Sequence, residues 1–253
     1  MLRRVRDEQM VELATLMTVE LCLLGAPKYS YFDEVSARAW LGMKNKARAK
    51  LLQQYTQTLV NRGLLLPDAI AVGTEHAETY ALSAELGILL AARCRPSFII
   101  ATAVSGAQLR QPAAFALGDE SDPLQALIVE TPILLDTDRK AKDQLGPLAQ
   151  CSAYVLGTRE WTASYLADWM IRPAPKRADV QPDAPRLISR FHPVSQHGDA
   201  GFQFSVRGDG STAQVDVGPG QPARECDREE LGQLMLDLLD GSGELRRDTW
   251  HLP

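Results

Sequence analysis

Long apolar runs, paired cysteines, histidine clusters and phosphate-cradling glycine loops are all missing from this chain of 253 residues, and each absence removes a class of function. The longest apolar stretches are broken by charge well before the roughly 18 to 20 residues that a bilayer span requires, so neither a transmembrane helix nor a membrane partner is expected. The opening Met1-Leu2-Arg3-Arg4-Val5-Arg6 has the basic character of a signal-peptide start. Glu12 and Glu20 stand where an uninterrupted apolar segment should follow, and a cytoplasmic location without an export signal is expected instead. Four cysteines, Cys22, Cys94, Cys151 and Cys226, are scattered with no C-x-x-C pair and read as small buried hydrophobes in a reducing compartment.

The residues of catalysis are equally thin. Of the four histidines, His76, His192, His197 and His251, none stands at a metal-ligand spacing on a helix with a third ligand in view. His192 and His197 near Ser195 and Asp199 supply the residue types of a nucleophile, base and orienter, but the segment reads as a loop and has no G-x-S-x-G elbow. There is no Walker A sequence and no G-x-G-x-x-G. No enzymatic activity, no metal and no cofactor are expected. Arg207-Gly208-Asp209 is a cell-adhesion tripeptide by letter, and its turn-forming composition explains it here.

What the chain does have is a 45% hydrophobic content, enough to bury a core, and an uneven charge. Residues 1–66 carry ten basic and six acidic side chains, +4, against −9 for the remainder of a chain whose net charge is −5. From Val35 to Pro67 there are Arg38, Lys44, Lys46, Arg48, Lys50 and Arg62 and no acid, the one polyanion-type signal in the sequence.

Apolar spacing predicts a first helix through Val5, Leu13, Leu16, Met17, Leu21 and Leu24, stopped by Gly25 and Pro27. A second is predicted over Asp33–Leu41 and a third over Lys46–Asn61, closed by Arg62-Gly63. An apolar strand Leu64–Leu66, a loop Pro67–Thr79, Tyr80-Ala81-Leu82 and a helix capped near Ser83 complete a layout that resembles a winged helix. That reading would present Lys44, Lys46, Arg48, Lys50, Gln53, Gln57 and Asn61 to duplex DNA, with cations on phosphates and amides on base edges. The wing opposes it, since Asp68, Glu75 and Glu78 lie there with no Lys or Arg.

Past Pro96 the period turns strand-like. Phe98–Val104, Ala113–Leu117 and Leu124–Glu130 form one triplet, and Leu187–Phe191, Phe202–Val206 and Thr212–Val217 a second, the last two joined at Gly208-Asp209-Gly210. Strands clustered at hairpin spacing predict an α+β fold: a helical, winged-helix-like part over 1–95, then an α+β part over 96–253. The strand clusters of that second part (96–135 and 186–218) form an antiparallel sheet in two pseudo-symmetric halves with flanking helices. One helix is predicted over Glu160–Ile171, and the clearest starts at Asp227, where Glu230 completes a capping-box spacing. Trp161, Tyr165 and Trp169 share a face of the Glu160–Ile171 helix with Met170 beside them, a stripe that reads either as core or as a protein-docking surface.

From Leu59-Val60-Asn61-Arg62-Gly63-Leu64-Leu65, through Leu86–Ala92 and Arg95-Pro96, to Phe191-His192, two strands and a C-terminal helix, the order of elements is similar to the EspG family of type VII secretion chaperones. The resemblance covers most of residues 45–240. It implies an α+β fold with two pseudo-symmetric halves, no catalytic residues, and cytosolic binding of PE–PPE type secretion substrates. No binding residue of that family has an identifiable motif here. The N-terminal 45 residues are longer and more helical than the family pattern, and Tyr80–Ser83 belongs to the winged-helix pattern.

Overall fold

A computed structural model of the chain describes residues 1–26, 32–67, 80–105, 110–118, 126–133, 145–173, 180–181, 184–192, 203–216 and 222–240. The fold is α+β. In chain order its elements are α1 (Leu2–Glu8), β1 (Met10–Met17), α2 (Thr18–Leu23), α3 (Glu34–Leu41), α4 (Asn45–Asn61), β2 (Leu65–Pro67), β3 (Tyr80–Leu82) and α5 (Ala84–Cys94). There follow β4 (Ile99–Val104), β5 (Ala113–Ala116), β6 (Leu127–Ile133), a 3₁₀ turn (Gly146–Ala149), β7 (Cys151–Gly157) and α6 (Arg159–Ile171). The chain then runs through β8 (Arg186–Phe191), β9 (Gln203–Gly208), β10 (Ala213–Asp216), β11 (Arg224–Cys226) and α7 (Arg228–Leu239).

Among the described residues, nine strands hydrogen-bond in the order β1-β7-β6-β5-β4-β8-β9-β10-β11, and β2 and β3 form a separate pair. β4 and β8 are antiparallel, Ile100 opposite Arg190 and Thr102 opposite Ile188. From that pair, β4-β5-β6 and β8-β9-β10 each run outward as an antiparallel meander. Each meander then reaches one more strand and a helix, β7 and α6 or β11 and α7. This is the doubled arrangement that the two triplets predict.

One prediction is overturned. The segment through Leu13, Leu16 and Met17 is not helix but strand β1, flanked by the short α1 and α2. Val11, Leu13 and Leu16 are its buried residues. Leu13 and Leu16, three apart, suit a helical turn, but Val11 and Leu13, two apart, suit only a strand, and the three together fit a strand whose alternation slips once. The slip is real: Thr158 N–H donates to the Gln9 carbonyl and Thr18 N–H to the Gln150 carbonyl, so β1 spends one residue more than β7 over the same length. β7 itself and the three-residue β11 had no expected counterpart.

The chain divides into two compact units, each built from separated segments: residues 1–11, 96–130 and 156–253 form one, and residues 12–95 and 131–155 the other. In the first, one face of β4, β5, β6 and β8–β11 meets α6 and α7. Phe98, just ahead of β4, and Ile100, Val129, Ile188, Phe204 and Val206 from the strands pack with Leu166, Met170, Leu231, Met235 and Leu238 from the helices. The second holds α2–α5 and the β2–β3 pair. Its core gathers Val19, Cys22, Trp40, Tyr55, Leu145 and Leu148. Burial raises the Tyr55 hydroxyl and Cys151 thiol above their ordinary values, with Glu20 adding to both, so each stays neutral at physiological pH.

Local signals explain the helix ends. Asp33 accepts from Val35 and Ser36 N–H ahead of α3, Ser83 from Leu86 N–H ahead of α5, and Asp227 and Glu230 form the expected reciprocal box ahead of α7. After α4, Gly63 at φ 69° lets its own N–H reach Val60 and that of Leu64 reach Leu59, the paired closure that only a left-handed residue permits.

Candidate protein-binding site

In the first unit, helix α6 presents three different surfaces. Thr158 starts it by accepting from Trp161 N–H. Thr162, Leu166 and Met170 then fall one turn apart on the face that meets the sheet. Of the expected docking residues, Met170 is therefore withdrawn, being wholly inside the core.

Trp161, Tyr165 and Trp169 occupy the adjoining flank and are half-buried, packed against that core with their outer edges open. Trp161 and Tyr165 stack at 5.4 Å with 17° between their planes. Trp161 can lie this close because Gly157 is beneath it; a Cβ there would come within 3.0 Å of the ring. Trp169 closes the row over the Arg186 guanidinium, 4.7 Å from its ring centre, beside Val104, Val180 and Ala184. Arg186 is buried and donates to the Arg172 and Pro173 carbonyls that end α6. Burial, and then the Arg172 charge, push its pKa down to about 10, which leaves it a cation at neutral pH facing the negative end of the helix.

The β9–β10 hairpin closes the same helix end. Gly210 N–H donates to the Ile171 carbonyl at 2.9 Å, and Gly208 lies directly against that carbonyl group. Asp209 between them accepts from the backbone N–H of Thr212 and of Ser211, and from the Ser211 hydroxyl. The Arg207-Gly208-Asp209 tripeptide is thus a turn fitted to α6. Those donors hold the Asp209 carboxyl down to about 2. Because the folded value lies below the ordinary one near ~4, the stabilisation is complete above that value and is lost as pH falls through about 2. A carbon-detected NMR titration is expected to place the Asp209 midpoint near 2; a midpoint at the ordinary aspartate value would show that the turn donors are not made.

On its other flank α6 lies antiparallel to α7. Arg159 at the start of α6 pairs with Asp240 just past α7, and Asp168 near the end of α6 takes Arg228 at the start of α7. The second pair is bidentate, with Nη2 to Oδ2 at 2.9 Å, and its bonds lower the Asp168 pKa and raise that of Arg228. Between the two clips the helices leave an open furrow of about 500 Å³, floored by Ala163, Ala167, Gly232 and Leu236, with Glu160 and Glu229 at its rim. Sequence reading missed this furrow. Its one legible signal was Gly232, a glycine in the middle of the clearest helix.

In the second unit α4 keeps Lys44, Lys46, Lys50, Gln53, Gln57 and Asn61 exposed, with Lys44 at its N-cap and the Gln57 amide bonded to Asn61 at 2.9 Å. Arg48 does not join that face. Its Nη2 donates to the carbonyls of Trp40, Leu41 and Met43, holding the α3–α4 turn, with the guanidinium 5.6 Å from the Trp40 ring centre. Arg38 pairs with Glu34 and Arg62 with Glu20, so acids that precede the acid-free stretch reach into it. Asp68, Glu75 and Glu78 of the expected wing lie outside the described residues.

His192 is exposed, its Nδ1 2.9 Å from the Ser97 carbonyl, while Ser195, His197 and Asp199 lie outside the described residues. Among the described residues, no group of three His, Cys, Asp or Glu is placed to hold a metal, and no helix is long and apolar enough to cross a membrane. No family model, curated protein or solved structure matches the chain.

Proposed function

We propose that the chain is a non-enzymatic, cytosolic protein-binding protein that acts as an EspG-like chaperone for PE–PPE type secretion substrates, and that the aromatic flank of α6 is its contact. One observation carries this reading: three aromatic rings in a row, anchored from beneath by the core and by Arg186, with their outer edges open. Pre-ordered aromatics lose little freedom on binding and supply most of the energy at many protein interfaces. The resemblance in element order supplies the class of partner.

The β2–β3 pair directly after α4 favours a second reading, a winged-helix regulator on duplex DNA. Against it, three of the six cations between Val35 and Pro67 are engaged within the fold, leaving Lys44, Lys46 and Lys50 as its cationic face.

Co-expression with a PE–PPE pair, followed by size-exclusion chromatography and titration calorimetry, tests both. The chaperone reading expects a stoichiometric complex that changes little with salt. Trp161→Ala with Tyr165→Ala should weaken it by about 30-fold or more, the loss typical of a paired hot spot. The DNA reading expects salt-steep duplex binding that loses about 0.9 units of log–log slope for each of Lys44, Lys46 and Lys50 changed to Ala. Failure to hold any PE–PPE pair, or a complex indifferent to the two aromatic substitutions, would remove the first reading.

A further inference from the structure

Gly232 is not required by the fold. It stands in the interior of α7, where helices disfavour glycine. Its backbone is not left-handed, and a Cβ there would meet no atom within 4 Å. Among the described residues, neither conformation nor packing calls for glycine. Its missing side chain instead keeps the furrow floor beside Ala163 and Ala167 open to the close approach of another backbone.

The furrow is also acidic. Arg159 and Arg228 are held by Asp240 and Asp168. Glu160 keeps only a loose 3.7 Å contact with Arg159. Glu160 adjoins the Arg159 clip and Glu229 the Arg228 clip, so the two acids stand at opposite ends of the opening. Of the charged residues that line the furrow, Glu160 and Glu229 are anions and Arg228 is a cation already held by Asp168, and a ligand with spaced positive charge is favoured.

The chain itself displays such a ligand. On α4, Lys46 and Lys50 are exposed one turn apart, the exposed Ala49 lies next to Lys50, and Gln53 and Gln57 continue the face. We propose that the α6–α7 furrow of one copy takes the Lys46–Lys50 face of α4 from a second copy, giving a head-to-tail contact. This goes beyond the substrate reading and does not depend on it. Furrow-on-furrow pairing about a two-fold axis would set acids against acids, which the head-to-tail arrangement avoids. Because the two patches differ, each bound copy still offers one of them, and assembly continues as a chain or closes as a ring. A contact of one helix face in one furrow is small, so the association is weak and strongly salt-dependent.

Sedimentation velocity on the full chain tests this. At about 30 mM salt the weight-average mass should rise above the monomer with concentration, and at about 500 mM salt, where the Debye length shortens to a few ångströms, it should return to 27.8 kDa. Glu160→Lys with Glu229→Lys should be monomeric, and so should Lys46→Glu with Lys50→Glu. Mixed together, the two variants should associate again, since the intact α4 face of one meets the intact furrow of the other and the reversed, acidic α4 face meets the reversed, basic furrow. Gly232→Leu should block association by filling the floor. All five positions are at the surface or face open space, so circular dichroism should stay as in the parent. A parent chain that stays monomeric at low salt to about 1 mM, the edge of weak binding, overturns the proposal. So does association that survives the charge reversals or Gly232→Leu, or a mixture that does not associate.

Discussion

Gly208→Ala is expected to destabilise the protein by about 3 kcal/mol or more, a loss in the range of severe overpacking. The glycine is not there for its backbone freedom, since it is not among the left-handed positions. It is there because β9 passes against the end of α6. A methyl at residue 208 would overlap the Ile171 carbonyl group, with the Ile171 Cα only 2.7 Å away. The obstacle is backbone, which cannot rotate aside as a side chain would. Moving it would also stretch the Gly210 N–H bond to the same carbonyl and unseat the hairpin. Gly232→Ala is the matched control. It adds the same methyl into open space within a helix, and should stabilise by about 0.5 to 1 kcal/mol. For a chain of this size each kcal/mol moves Tm by roughly 2–4 °C, so the two melts should shift in opposite directions. A Gly208→Ala protein that melts with the parent would mean that the hairpin is not seated as described.

Arg62→Ala is expected to cost about 3 kcal/mol, the lower end of the range for breaking a buried ion pair. Glu20 is 1% exposed, with Oε1 at 2.9 Å from Arg62 and Oε2 accepting the Met17 N–H that starts α2. Arg62 also donates to the Thr15 carbonyl, so one guanidinium holds β1, α2 and the end of α4. The two partners are not equivalent. Arg62 is 35% exposed and can rehydrate if Glu20 is neutralised, whereas Glu20 stripped of Arg62 leaves a charge buried without its partner. Glu20→Gln, which keeps an acceptor for Met17 N–H, should therefore cost only about 1 kcal/mol, the worth of an ordinary hydrogen bond. Adding Glu20→Gln to Arg62→Ala should recover part of the loss. Denaturant melts of the two single variants and the double give the coupling directly. Equal single costs that simply add would show that the pair is not the buried contact described.

This arginine also shows how the sequence can mislead. Within the acid-free run from Val35 to Pro67, Arg62 reads as one more cation facing a polyanion. The acid that binds it lies 42 positions earlier, and the carbonyls that bind Arg48 come from the turn before α4. Charge counted along a chain shows which charges exist, not which ones are already satisfied. The aromatic stripe of α6 was legible by the opposite logic, since Trp161, Tyr165 and Trp169 repeat every four residues and a helix must place them together. Met170 failed as a docking residue because one further step of about 100° carries a side chain from the open flank into the core.

By itself the sequence determined the local elements whose signals lie within a few residues. These are the capped starts at Ser83 and Asp227, the Gly63 closure, the two strand triplets and the α+β class that they imply. Each depends on hydrogen bonds or periodicity inside a single element, where the nearest neighbours in sequence are also the nearest in space. Only the tertiary structure decided the rest. It made β1 a strand, because an eight-residue segment of ambiguous period takes the form its partner β7 can hydrogen-bond. It turned Arg62 and Arg48 inward, because the acid and carbonyls that bind them are brought near only by folding. It created the α6–α7 furrow, because a space between two helices belongs to neither sequence and appears only where Ala163, Ala167 and Gly232 are brought together.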